Sequence, residues 1–109
     1  MGTTSTAKPP EWLSEASRTW FQTMTATFDF DTDPSGLRLL EAAAAQLDRL
    51  AVLRECLADA GPLVQDRFGQ LKENPAAAAE RSASNTLRLL LRELDLSDGD
   101  DESHRIPRY

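Results

Sequence analysis

Histidine and cysteine supply most nucleophilic and metal-binding chemistry, and this chain has one of each, His104 and Cys56. A single histidine rules out multi-histidine metal sites, and with no histidine near Cys56 a Cys–His nucleophile has no partner. No GxxxxGK[ST] or GxGxxG run is present, so no glycine loop is built to cradle phosphates. Asp29, Asp31 and Asp33 alternate like the start of a calcium loop. Pro34 stands where that loop needs glycine, however, and Leu40 where it needs a bidentate glutamate. The simpler reading is that Asp33 caps a helix opened by Pro34. Glu41, Asp48, Glu55 and Asp59 recur at helical steps and form a stripe. A stripe is not the isolated pair on an apolar background that acid–base catalysis needs. The expectation is a chain with no enzymatic activity, no cofactor and no metal.

The elements that position these groups read as mainly α: about three helices, with a small β-hairpin between the second and third. Ser14 is the N-cap of a first helix from about Glu15 to Thr27, with Ala16, Trp20, Met24 and Phe28 at helical spacing beside Phe21. Four of the seven aromatic residues lie between Trp12 and Phe28, so this helix supplies the bulk of a core otherwise built from Ala and Leu. A base-stacking platform is the competing use of such a stripe. The second helix runs from about Pro34 to Ala60, with Leu40, Ala43, Leu47, Leu50, Ala51, Leu53, Leu57 and Ala58 on a broad apolar side. Arg54 projects among these, either snorkelling or meeting a carboxylate across an interface. Cys56 reads as a small packing residue.

Gly61-Pro62 stops the second helix. Leu63-Val64-Gln65 and Gln70-Leu71-Lys72 then flank Asp66-Arg67-Phe68-Gly69 as a hairpin whose glycine takes the left-handed turn position. Asn74-Pro75 opens a third helix that continues to about Leu96. Ala76, Ala79, Ala83, Leu87, Leu90 and Leu94 form its core face, and Arg81, Arg88 and Arg92 gather on the opposite side. Leu89 and Leu96 make a second apolar stripe, which calls for a wide buried face or a partner chain. The arginines either complement the acidic stripe of the second helix, within a chain or between chains, or are solvated.

With 109 residues there is room for one small domain. The expected division is an N-terminal arm over 1–12, a helical domain over 13–96 and an acidic tail over 97–109. The formal charge of −6 is not that of a protein that wraps nucleic acid as a monomer. Residues 61–96 nevertheless carry five basic and five acidic side chains, so the second half of the domain is balanced. No apolar run is long enough to span a membrane.

Taken in order, Leu13-Ser14-Glu15, Arg18 and Trp20 precede a proline-started long helix. A hairpin containing Phe68-Gly69-Gln70-Leu71 follows, then Asn74-Pro75 and the ending Leu89-Leu90-Leu91-Arg92-Glu93-Leu94-Asp95-Leu96. This series resembles the P27 family of phage terminase small subunits over roughly Leu13 to Leu96. The resemblance implies a non-catalytic, ring-like homo-oligomer in the cytoplasm of the bacterial host. Such an assembly helps select viral double-stranded DNA and delivers it to the large ATPase/nuclease subunit. Members often carry a basic residue or histidine before the helix-starting proline, where this chain has Glu73-Asn74-Pro75. On this reading Lys8, Arg18, Arg67 and Lys72 are the candidate phosphate contacts. Arg54, Arg81, Arg88, Leu89, Arg92 and Leu96 are the candidate subunit interface. The alternative is a helical homo-oligomeric adaptor with no nucleic-acid role.

Overall fold

The structure is a computed structural model that describes residues 8–95. Its elements are α1 (Glu15–Thr27), α2 (Pro34–Ala60), β1 (Leu63–Gln65), β2 (Leu71–Glu73) and α3 (Pro75–Leu94). The mainly helical architecture, with an antiparallel hairpin between the second and third helices, agrees with the sequence expectation. The second strand begins one residue later than predicted, at Leu71.

Each helix is bounded by the residues its ends require. The Ser14 hydroxyl accepts from the Ser17 N–H, and Asp33 accepts from the Gly36 N–H at 2.9 Å. The α2 helix stops at Gly61, whose φ of 84° is open to glycine at little cost and which donates its N–H to the Leu57 carbonyl. Asn74 holds three elements at one point. Its side-chain oxygen accepts from the Ala76 N–H, its amide nitrogen donates to the Gly61 carbonyl at 2.9 Å, and its backbone N–H donates to the Pro62 carbonyl. Because Asn74 is buried, Asn74→Ala is expected to cost about 1–2 kcal/mol. Urea unfolding would measure this, and Asn74→Asp, which keeps the cap but loses the bond to Gly61, should fall between the two.

The long helices α2 and α3 pack against each other as an antiparallel pair, and α1 lies along only one half of it. The Ser14 and Ser17 hydroxyls reach Asp48, while the end of α1 leads directly into α2 at Pro34, so α1 runs back along the first half of α2. The core is at that end: Leu13, Phe21, Phe30, Leu40, Ala44 and Leu94, with Trp20, Met24, Phe28, Leu37, Leu39 and Leu91 packed around them. The second half of α2, the first half of α3 and the hairpin extend beyond α1, in a molecule measuring 61 × 31 × 18 Å.

Two packing expectations change. The fully buried face of α1 is Ser17, Phe21 and Thr25, with Ala16 exposed and Trp20, Met24 and Phe28 at its margin. The helix is rotated toward Phe21 because Ser14 and Ser17 must meet Asp48. Cys56 is exposed rather than packed, because it lies on the part of α2 that α1 does not cover.

Candidate oligomer and nucleic-acid interface

The hairpin is rigidly built at its tip. Asp66 donates its N–H to the Gln70 carbonyl at 2.8 Å, and its carbonyl accepts from Gly69 at 3.0 Å. Its carboxylate accepts from the N–H groups of Phe68 and Gln70. Gly69 takes φ of 80°, which completes a type I turn with a left-handed residue. Arg67 and Phe68 are thereby held at the apex, the guanidinium 5.1 Å from the ring centroid. An exposed cation and aromatic ring on a preorganised turn suit a phosphate with a neighbouring flat or apolar group.

The strands pair as Leu63 with Glu73, Val64 with Lys72 and Gln65 with Leu71. Leu63 and Leu71 therefore share one face of a sheet too small to have a second layer, and Val64 and Lys72 share the other. Large apolar side chains are left open to solvent on the hairpin (Leu63 55%, Phe68 74% and Leu71 66%), on the second half of α2 (Val52 59%) and on the outer side of the second half of α3 (Leu89 47%). Sequence periodicity singled out Leu89 alone, because three-residue strands give too little alternation to show which face is buried. Leu96 lies outside the described residues.

The candidate phosphate contacts fall into two groups. Lys8 and Arg18 line one surface hollow with Pro9, Glu11, Glu15, Thr19 and Gln22, so carboxylates oppose the two cations. Arg67 and Lys72 are both on the hairpin and exposed. The structure thus separates the four residues into a mixed-charge hollow at the start of α1 and a hairpin on which Arg67 and Lys72 are balanced by Asp66 and Glu73.

The arginines expected at an interface mostly find partners within the chain. Arg54 pairs with Glu80 at 3.1 Å, so the carboxylate it meets comes from α3 of its own chain. Arg81 pairs with Glu73 at 2.9 Å across the turn from β2 into α3. The hydrogen bond from Arg81 and then its charge hold the Glu73 carboxyl below its ordinary value, and Glu73 raises Arg81 in return. Both side chains are largely exposed, so the pair orients the hairpin more than it stabilises the fold. Arg88 donates to the Asn85 amide oxygen at 2.6 Å. Arg92 is exposed in the last turn of α3.

No ion pair among the described residues joins the acidic stripe of α2 to the arginines of α3. Asp48 is taken out of that stripe by the start of α1: it accepts from the Ser14 N–H at 2.8 Å and from the Ser14 and Ser17 hydroxyls at 2.5 and 2.6 Å. Burial pushes its carboxyl up, but the three hydrogen bonds outweigh this and leave it below its ordinary value. The alternating aspartates serve local turns: Asp29 accepts from the Asp31 N–H, and Asp33 caps α2. No cluster of three or more metal-ligating side chains occurs among the described residues, and none of their helices is long and apolar enough to cross a membrane. No protein-family model, curated protein or solved structure matches the chain, so its role is read from these residues and their geometry.

Proposed function

We propose that this chain is the non-catalytic small subunit of a phage DNA-packaging terminase. In this reading it assembles into a ring-like homo-oligomer that holds viral double-stranded DNA and recruits the large ATPase/nuclease subunit. The observation that carries the proposal is the apolar surface left open where α2, α3 and the hairpin extend past α1. Covering a side chain such as Leu63 or Leu71 is favourable by about 1–2 kcal/mol, and an interface assembles several of them. A head-to-tail contact between such surfaces closes into a ring when the rotation per subunit permits. The series of sequence elements described above supports the terminase reading over other oligomers. Within a ring, Arg67 and Lys72 recur once per subunit, so weak phosphate contacts add up without requiring a basic monomer.

Native mass in solution tests the assembly. The wild-type chain is expected as a discrete multimer of many subunits, and Leu71→Asp combined with Leu89→Asp as a helical monomer. A wild-type monomer, with or without double-stranded DNA, would sink the proposal. The charge of −6 favours a second reading, an oligomeric adaptor with no nucleic-acid role. A multimer whose binding to double-stranded DNA is absent at low salt supports the adaptor. Binding that weakens steeply as salt rises supports the terminase.

A further inference from the structure

The hairpin has two open edges. In an antiparallel ladder alternate residues turn their N–H and C=O groups toward the partner strand, and the residues between turn them outward. The bonds from the Asn74 N–H to the Pro62 carbonyl and from the Asp66 N–H to the Gln70 carbonyl fix which residues do which. Val64 and Lys72 face each other across the hairpin. Leu63 and Gln65 on β1, and Leu71 and Glu73 on β2, turn their backbone groups away from it. These four residues are exposed, and among the described residues their outward N–H and C=O groups have no hydrogen-bond partner. Leu63 and Leu71 also leave one face of the sheet apolar and uncovered. An open strand edge beside exposed leucines is a template for another strand.

We propose that β1 of one copy pairs with β2 of the next, antiparallel and in the register the two strands already keep within the chain. Leu63 of one copy then exchanges both backbone bonds with Glu73 of the next, and Gln65 does so with Leu71.

Charge and symmetry select this pairing over the two symmetric ones. In the register that uses both outward residues, β2 against β2 sets Lys72 directly opposite Lys72. That position is the closely spaced, non-hydrogen-bonded one, where like charges repel. Pairing β1 with β1 sets Val64 opposite Val64 without such a cost, but it closes a two-fold pair and leaves the β2 edge, with Leu71, still open. Pairing β1 with β2 uses both edges of every copy and sets Lys72 opposite the uncharged Val64. It is head-to-tail, so it repeats from copy to copy. On the apolar face Leu63 of one copy lies diagonal to Leu71 of the next, as the two lie within the chain, and the leucines form a continuous row. The inference rests on the oligomer reading and names its contact; the contact is the same for a packaging subunit and for an adaptor.

Two single-cysteine proteins test it, Val64→Cys and Lys72→Cys, each in a Cys56→Ser background and each matched to the wild type by circular dichroism and native mass. In the proposed pairing, positions 64 and 72 of adjacent copies stand about 4.5 Å apart at Cα, within reach of a disulfide. An equal mixture treated with oxidised glutathione is expected to give a 64–72 disulfide between chains, and either protein alone little covalent dimer. A 64–64 or 72–72 disulfide as the main product would overturn the proposal in favour of a symmetric pairing. A discrete multimer without the 64–72 link would overturn it and leave the oligomer reading standing, whereas a monomer would overturn both. Residue-resolved hydrogen exchange on the wild-type multimer needs no variant. The amides of Leu63, Gln65, Leu71 and Glu73 are expected to be protected together with those of Val64, Asp66, Lys72 and Asn74. Protection of the second set alone would show that both edges stay open and would overturn the pairing.

Discussion

Phe21→Ala is expected to cost about 3–5 kcal/mol and to release α1 before the rest of the fold yields. Phe21 is 1% exposed and belongs to the cluster that joins α1 to Leu40 and Ala44 of α2 and Leu94 of α3. It is the only large apolar side chain of α1 that is fully buried; Trp20 and Met24 pack at the margin. Removing the ring leaves a cavity that a short helix held on one side cannot close by collapsing. Native stabilities of small domains are about 5–15 kcal/mol, so the loss is a large share of the total. Amide hydrogen exchange should show protection lost first over residues 15–27 and retained over the α2–α3 pair. Uniform loss across all three helices would show instead that α1 and the pair form one cooperative unit.

The second large effect concerns Asp48, the polar counterpart of Phe21 in holding α1. Asp48→Ala is expected to cost about 2–3 kcal/mol, because hydrogen bonds to a charged acceptor contribute more than neutral ones and the Ser17 hydroxyl is left without its partner. The pH dependence has a definite sign. The folded carboxyl titrates below its ordinary value of 3.8, so its contribution is complete above that pH. The contribution fades as pH falls through the lower, folded value. Asp48→Asn should flatten this acid limb, because no carboxylate remains to be protonated, and should cost less than Asp48→Ala. Chemical unfolding of the three proteins between neutral and acidic pH checks both statements. An acid limb unchanged in Asp48→Asn would assign the pH dependence to other carboxylates. Since Asp48 and Phe21 anchor the same helix, the double variant is expected to lose less than the sum of the single losses.

Both anchors bear on the oligomer reading. Because α1 covers only one half of the α2–α3 pair, the other half depends on the pair's own packing, on Asn74 at its end and on the Arg54–Glu80 contact. A second copy covering Val52, Leu63 and Leu71 would stabilise the half that carries the hairpin. The unfolding midpoint of the wild-type chain should then rise with protein concentration.

Local chemistry was enough to determine from the sequence where the elements lie. Ser14, Asp33-Pro34, Gly61-Pro62, Gly69 and Asn74-Pro75 each act through groups within a few residues. The three helices and the hairpin were therefore legible before any tertiary contact was known. The core face of α3 was legible for the same reason, its spacing being that of a single helix. What lay beyond the sequence were the contacts joining elements far apart in the chain. Asp48 read as part of an acidic stripe, either solvated or facing the arginines of α3, until α1 brought two serine hydroxyls onto it. The partner of Arg54 was open until α3 placed Glu80 beside it. The Glu73–Arg81 pair spans a strand end, a cap and two helical turns, a path with no single period to reveal it. The exposure of Leu63, Leu71 and Cys56 followed only from the length and direction of α1, because burial depends on what lies opposite a side chain. Tertiary structure decided which half of the long pair was covered, and so where the surface available to partners lies.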